Sequence, residues 1–120
     1  MSATILVCDD DSVPRRNIAS VLEEEGYTVH QAEDGKAAID AINQIDFDLV
    51  LTDLKMPGVD GLAVIREARR LKADIPVIII TGFSTEASAI EALNLGVSGY
   101  LTKPFRVPRV LAAAAKALGE

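Results

Sequence analysis

Five short apolar runs, separated by segments of helical periodicity, constrain the fold of this chain more than any other feature. The most apolar runs are residues 5–8, 48–52 and 76–80, and two weaker ones cover 28–32 and 99–102. Continuous apolar runs of this length are typical of strands buried on both faces, as in parallel sheets. The pattern therefore predicts an α/β fold: a single doubly wound, five-stranded parallel sheet with five helices on its two faces.

The length and composition fit one domain spanning residues 1–120. The net charge is -6, and no basic cluster is interleaved with aromatic residues, so direct binding of nucleic acid is not expected. No apolar run approaches the roughly 20 residues that cross a bilayer, and the amino terminus lacks the basic region of a secretory signal. We therefore expect a cytoplasmic protein that makes no membrane contact.

Polar side chains stand at the carboxyl ends of four predicted strands. Asp9 and Asp10 follow the first strand, Asp53 the third, Thr81 the fourth and Lys103 the fifth. Taken singly, each has a plainer interpretation as a capping residue or a solvated charge at the end of an element. Because parallel strands point the same way, however, all five residues share one edge of the sheet, where open α/β sheets bind ligands.

The chemistry of this set favours a metal ion and a phosphoryl group. Three crowded carboxylates repel one another, and protonation or a bound cation relieves the repulsion. Oxygen ligands without histidine or cysteine suit a hard divalent ion, and Mg²⁺ is the expected one. An ordinary carboxylate is ionised at neutral pH, so we expect that Asp53 could attack phosphorus without a general base. Lys103 and Thr81 would supply a positive charge and a hydroxyl to the phosphoryl oxygens.

The segments that carry these residues resemble, in order and spacing, the motifs of the receiver domain of bacterial two-component response regulators. They are Ile5-Leu6-Val7-Cys8-Asp9-Asp10, Leu51-Thr52-Asp53-Leu54-Lys55-Met56-Pro57-Gly58 with Asp60-Gly61, Ile80-Thr81-Gly82, and Gly99-Tyr100-Leu101-Thr102-Lys103-Pro104-Phe105. The resemblance spans nearly the whole chain. It implies the flavodoxin-like strand order 2-1-3-4-5, for which chemotaxis regulators of this family are a known example.

The resemblance also implies a role for each residue at the metal. Asp53 corresponds to the phosphate acceptor. Asp9 and Asp10 correspond to the acidic pair at Mg²⁺, which Asp53 itself and the backbone carbonyl of Lys55 would complete.

A conformational switch is implied as well. Thr81 and Lys103 correspond to the residues that hold the phosphoryl oxygens, and Tyr100 to an aromatic residue that turns inward when Thr81 is drawn toward phosphate. The peptide bond Lys103-Pro104 is usually cis in this family. Helix 4, strand 5 and helix 5 would then form the face that changes for a partner.

The resemblance implies partners by class. A histidine kinase or a histidine phosphotransfer protein would donate the phosphoryl group, and an unidentified downstream protein or a missing output domain would read it. The face of helix 4, strand 5 and helix 5 is also a candidate for homodimerisation. The chain ends near the end of the predicted fold, so we expect either a single-domain regulator or a receiver excised from a longer protein. Beyond self-catalysed phosphoryl transfer and autodephosphorylation, we expect no enzymatic activity.

Two alternatives remain open from the sequence. Residues 9–13 fit the Asp-x-Asp-x-Thr/Val pattern of Mg²⁺-dependent phosphatases of the haloacid dehalogenase type, with Asp9 as nucleophile and Thr81 and Lys103 as the next two motifs. Against it, only Glu120 follows the lysine, where that family needs a further acidic pair. The other alternative is a receiver fold that serves as a constitutive interaction module without phosphorylation.

Overall fold

The computed structural model describes residues 2–82 and 84–120, and within them strands and helices alternate along the chain. The elements are β1 (Thr4–Cys8), α1 (Ser12–Glu24), β2 (Thr28–Ala32), α2 (Gly35–Gln44), β3 (Leu49–Thr52), α3 (Gly61–Leu71), β4 (Val77–Thr81), α4 (Glu86–Asn94), β5 (Gly99–Thr102) and α5 (Val107–Ala117). All strand pairs are parallel, in the order β2-β1-β3-β4-β5. The predicted α/β class and strand order are confirmed.

Burial explains which strands lie inside the sheet. Every residue of β3 and β4 is buried, as expected for runs that pack against helices on both faces. The more polar β2 lies at one edge and is largely accessible, and β5 lies at the other. Thr81 is the last residue of β4 itself, so the strand ends one residue later than its apolar run suggests.

Successive residues of the strands contribute to two separate hydrophobic clusters. Leu6 and Ile79 belong to the cluster that includes buried residues of α2, α3 and α4, while Ile5 and Ile78 belong to the one with α1 and α5. This division follows from the two-residue period of a strand, which directs neighbouring side chains to opposite faces. The helices therefore cover the two faces of the sheet in groups of three and two.

The helices begin at the same edge of the sheet, each just beyond a strand end. The first four have a side-chain cap, in which an oxygen accepts a hydrogen bond from a backbone N–H of the first turn: Asp11 for α1, Asp34 for α2, Asp60 for α3 and Thr85 for α4. These caps satisfy amides that have no partner within the helix. Because the caps fix where each helix starts, they also fix the loops that carry the polar residues of this edge.

The α4 helix is attached to the body differently from the others. Its one buried residue is Ala92, and Leu93 is 75% exposed. Polar contacts with α3 hold its C-terminal half instead. Arg66 forms an ion pair with Glu91 at 2.6 Å, and the guanidinium of Arg69 donates to the backbone carbonyls of residues 95 and 96 just beyond the helix. Cations at this end of a helix stabilise its unpaired carbonyl groups.

Membrane insertion through a helix finds no support in the described part of the chain. None of the helices there combines the length and the apolar composition that a bilayer span requires.

Candidate functional site

The carboxyl-terminal edge of the sheet brings together the acidic residues predicted from the strand ends. Carboxylate oxygens of Asp9, Asp10 and Asp53 lie within 4.8 Å of one another. Asp9 and Asp53 are only 2% and 3% exposed, whereas Asp10 lies at the surface. Two ionisable groups are thus removed from water beside a third that remains accessible, so the cluster opens to solvent on the side of Asp10.

Lys103 lies between the two buried carboxylates. Its Nζ donates a hydrogen bond to Asp9 Oδ2 at 2.7 Å and to Asp53 Oδ2 at 2.9 Å. Burial alone would lower the pKa of Lys103, but the hydrogen bonds and charges of Asp9 and Asp53 outweigh it and raise the pKa. Lys103 is therefore an ammonium ion at neutral pH and acts as the internal counterion of the site.

Both carboxylate oxygens of Asp9 accept a hydrogen bond. Its Oδ1 accepts a hydrogen bond from the backbone N–H of Asp11 at 2.9 Å, and its Oδ2 accepts from Lys103. Burial raises the pKa of Asp9, and the negative charge of Asp53 raises it further. The two hydrogen bonds lower it, but they do not outweigh burial. The net direction is upward, so the metal-free site disfavours the ionised form of this carboxyl.

The backbone around Asp53 is fixed by its neighbours on β1 and α3. Asp53 N–H donates to Cys8 C=O at 3.0 Å, which continues the sheet one residue beyond β3. A Cβ atom on Gly61 would lie 1.9 Å from the carbonyl oxygen of Asp53, so only glycine permits α3 to begin this close to the site. Gly61 was part of the recognised motif, yet the sequence pattern does not reveal that its role is this close approach.

The loop after β3 alternates between the core and solvent. Leu54 and Met56 are buried, and Lys55 between them is exposed. The backbone N–H of Lys55 approaches Asp53 Oδ1 at 3.4 Å, a long hydrogen bond. Gly58 has φ +76°, the left-handed conformation that the predicted Pro-Gly turn requires. The loop thus keeps the Lys55 main chain near Asp53.

The last two strands place Thr81 and Lys103 side by side. Thr81 is fully buried at the end of β4, and its carbonyl oxygen accepts a hydrogen bond from Lys103 N–H at 2.9 Å. The peptide bond between Lys103 and Pro104 is cis, as the resemblance implies. The four strand ends named from the sequence therefore meet at one edge.

Tyr100 is partly buried on β5 and faces the start of α4. Its hydroxyl group donates a hydrogen bond to Ser84 Oγ at 2.8 Å and lies 3.4 Å from Ser88 Oγ. Sequence patterns do not predict these serine contacts, because they join segments whose relative position only the fold determines. In this conformation the ring is tied to α4.

The donor set fits a hard divalent cation. All three acidic ligands offer carboxylate oxygens, the site carries more negative charge than Lys103 can neutralise, and Asp10 leaves it accessible. Oxygen-rich, partly solvated sites of this kind suit ions such as Mg²⁺ better than softer metals, which prefer nitrogen or sulfur. The acidic pocket could therefore bind a metal and, with it, an anion.

Comparison with known proteins gives the same family from sequence and from structure. The family model described as the response regulator receiver domain matches residues 5–115. The transcriptional regulatory protein ResD of Bacillus subtilis is 40% identical over 114 residues, which cover 95% of this chain and 47% of ResD. The aerobic respiration control protein ArcA of Escherichia coli is 37% identical over 114 residues, with the same two coverages.

Solved structures agree. A CheY-like receiver domain protein from Methanospirillum hungatei superimposes with a TM-score of 0.95 at 28% identity, covering 99% of this chain and 95% of that one. NtrX from Brucella abortus gives a TM-score of 0.91 at 34% identity, covering 99% of this chain and 27% of that one.

The match decides between the families considered from the sequence. The haloacid dehalogenase alternative, with Asp9 as nucleophile, receives no support from these comparisons.

The chain spans about half the length of ResD and ArcA. Receiver domains are signalling modules that take phosphate from histidine kinases and act on downstream targets, and generally are not enzymes. With residues 5–115 matched to the family model, this chain belongs to the response regulator receiver domain family of two-component systems.

Proposed function

We propose that residues 1–120 form one receiver domain in which Asp53 accepts a phosphoryl group from a histidine kinase or a histidine phosphotransfer protein. The observation that carries the proposal is the environment of Asp53, a buried carboxylate within hydrogen-bonding distance of Lys103 and close to Asp9 and Asp10. Since kinases of this class draw their phosphate from ATP, we also propose a cytoplasmic location.

The transfer uses groups already held at the site. A carboxylate oxygen of Asp53 attacks phosphorus, the P–N bond of the phosphohistidine breaks, a P–O bond forms, and the departing imidazole takes up a proton. Lys103 and the Thr81 hydroxyl donate hydrogen bonds to the phosphoryl oxygens and thereby spread their charge. Water later cleaves the acyl phosphate and restores Asp53. Both steps act on the domain itself, so the chain has no separate substrate to turn over.

The proposed metal is Mg²⁺. Asp9, Asp10 and Asp53 would hold it together with the backbone carbonyl of Lys55. When bound, it neutralises carboxylate and phosphoryl charge at the reacting centre. The exposed position of Asp10 supports this assignment, because Mg²⁺ usually retains several of its waters.

An apolar groove beside the site suits the docking of a phosphate donor. It has a volume of about 570 Å³ and runs between α1 and the loop that joins β5 to α5. Its lining includes Val13, Pro14, Val21, Lys103, Phe105 and Val107. Because Asp53 is buried, a protein donor must seat its histidine closely over this edge. Val13, which is 64% exposed, offers apolar surface for that contact.

The proposed output is a change in the face formed by α4, β5 and α5. A phosphoryl group at Asp53 would draw the Thr81 hydroxyl toward it and free space that the Tyr100 ring can fill. Turning inward would break the hydrogen bonds of Tyr100 with Ser84 and Ser88 at the start of α4. Phosphate would thus bias an equilibrium between two arrangements of this helix.

The proposed binding partner of this face is a downstream protein or an output domain of the same polypeptide. A second copy of the chain is a further candidate. Ile90 and Leu93 on α4 are exposed and supply apolar contact area for any of these. The length of the relatives favours an output domain in a longer protein. ResD is named as a transcriptional regulatory protein and ArcA as an aerobic respiration control protein, and both names describe those whole proteins.

Acetyl phosphate with Mg²⁺ should give a single labile phosphoryl adduct, detected by intact mass spectrometry. Asp53→Asn should abolish the adduct because it removes the nucleophile. Asp46→Asn is the matched control, since Asp46 is a highly exposed carboxylate on the loop between α2 and β3. Loss of the adduct in Asp9→Asn with retention in Asp53→Asn would make Asp9 the nucleophile and overturn the assignment.

Asp9→Asn should raise the free energy of unfolding of the metal-free protein at pH 7. The pKa of Asp9 is raised in the fold above 3.8, so the folded state binds the proton more tightly than the unfolded state. The contribution of Asp9 to the free energy of unfolding is therefore lost as the pH rises above about 4. Urea unfolding measures the difference, and saturating Mg²⁺ should remove or reverse it. An Asp9→Asn variant that is less stable than the wild type without Mg²⁺ would contradict the argument.

Val13→Gln should slow phosphoryl transfer from a protein donor about tenfold, because an apolar contact of this size contributes about 1.5 kcal/mol. The reaction with acetyl phosphate should not change, since it needs no docking surface. The rates are compared using the fastest donor from a panel of purified, phosphorylated histidine kinases. Leu93→Gln, on α4 and outside the groove, is the control. Unchanged transfer in Val13→Gln, or equal slowing in the control, would exclude the groove as the docking site.

Tyr100→Ala should leave the rate of phosphorylation nearly unchanged and weaken binding of the phosphorylated domain to its target severalfold. Tyr100→Phe keeps the ring but loses the hydrogen bond to Ser84, so it should favour the inward position without phosphate. Hydrogen exchange at the amides of α4, with and without phosphorylation, reports the switch. If phosphorylation protects or exposes α4 equally in wild type and Tyr100→Ala, Tyr100 is not the switch.

A further inference from the structure

Arg15 connects three elements at the edge of the site. It lies in the first turns of α1. From the sequence alone, an arginine at this position would be interpreted as a solvated surface residue. Its Nη1 donates a hydrogen bond to the backbone carbonyl of Asp9 at 3.0 Å, and its Nε donates to Gln31 Oε1 on β2 at 3.2 Å. One guanidinium therefore joins α1 to the end of β1 and to the neighbouring strand.

The carbonyl that Arg15 contacts belongs to the peptide group between Asp9 and Asp10. On the other side of Asp9, its N–H donates to Ala32 C=O at 3.2 Å, so both main-chain polar groups of Asp9 are fixed. Asp10 is exposed and gains little orientation from packing. The orientation of this one peptide group thus sets the direction in which the Asp10 side chain leaves the main chain.

We propose that Arg15 is a positioning residue for the acidic pair, holding the peptide between Asp9 and Asp10 so that both carboxylates face a bound cation. The proposal rests on the proposed function, in which these carboxylates hold Mg²⁺. Arginine suits the task because its planar fork reaches two acceptors at once and stays protonated at any physiological pH. Lysine has a single donor atom and cannot reach Asp9 and Gln31 in the same way.

The sign of the effect separates positioning from simple electrostatics. Arg15 is a cation near a site for a cation, so removing its charge should tighten Mg²⁺ binding if charge were its only influence. Loss of positioning has the opposite effect, because Mg²⁺ must then select a peptide orientation that only part of the population adopts. Weaker binding in a folded variant can therefore not come from the lost charge.

The test compares Arg15→Gln and Arg15→Lys with the wild type and with Arg16→Gln, the same change at the neighbouring exposed arginine. Calorimetric titration with Mg²⁺ gives the dissociation constant, and urea unfolding shows how stable each variant is. We expect Arg15→Gln to bind Mg²⁺ about tenfold more weakly, corresponding to a competent fraction of roughly one tenth. Arg15→Lys should lie between it and the wild type, and Arg16→Gln should bind as tightly as the wild type or slightly more tightly.

Two further measurements isolate positioning. In the metal-free Arg15→Gln protein, ¹⁵N relaxation should show increased motion at the amides of Asp10 and Asp11, which a change in charge alone would not produce. Phosphorylation by acetyl phosphate should slow at low Mg²⁺ and recover at saturating Mg²⁺.

The outcomes distinguish this proposal from the proposed function. If the wild type binds Mg²⁺ and is phosphorylated while Arg15→Gln binds Mg²⁺ equally or more tightly, the positioning role is wrong and the function stands. A loss of stability in Arg15→Gln with unchanged Mg²⁺ affinity would likewise reduce Arg15 to a structural link. If the wild type neither binds Mg²⁺ nor accepts phosphate, the proposed function fails, and the role of Arg15 fails with it.

Discussion

The contact of one ammonium with two buried carboxylates is the interaction on which the rest of this structure depends. Lys103 neutralises part of the charge that Asp9 and Asp53 bring to the end of the sheet, and without it both carboxylates would lie unpaired away from water. In the proposed function, the same ammonium would also donate a hydrogen bond to a phosphoryl oxygen on Asp53. If Lys103 turned toward that oxygen, its hydrogen bonds to Asp9 and Asp53 would weaken, and the carboxylates would be more available to a cation. Binding of phosphate and of metal should accordingly favour each other.

The sequence was sufficient for the architecture because its signals are local. Apolar runs mark β1, β3 and β4, so each of these strands could be recognised from its own residues. The shared edge then follows from the common direction of the strands. Asp9, Asp53, Thr81 and Lys103 could be named for the same reason, since each one directly follows or ends a strand.

The remaining contacts depend on tertiary distances that no local pattern encodes. Gly61 looks like an ordinary turn residue until α3 is seen to start against the carbonyl of Asp53. Arg15 looks like a surface arginine until its guanidinium is found between Asp9 and Gln31. The hydroxyl of Tyr100 likewise finds Ser84 only after β5 and α4 have packed. In each case the residue acts through a main-chain group or a small side chain whose position is set by other elements.

The unequal attachment of α4 has a mechanical consequence. Near its carboxyl end, Arg69 binds the main chain just past the helix and Arg66 pairs with Glu91, whereas its start is tied to β5 through hydroxyl groups. A guanidinium bound to two carbonyls is harder to displace than a hydrogen bond between hydroxyls. The carboxyl-terminal end of α4 is thus held more firmly, against α3, than its amino-terminal end, which contacts Tyr100. If the Tyr100 ring turned inward as proposed, the amino-terminal end would move while the carboxyl-terminal end stayed in place. The displacement should therefore grow along α4 toward its amino terminus.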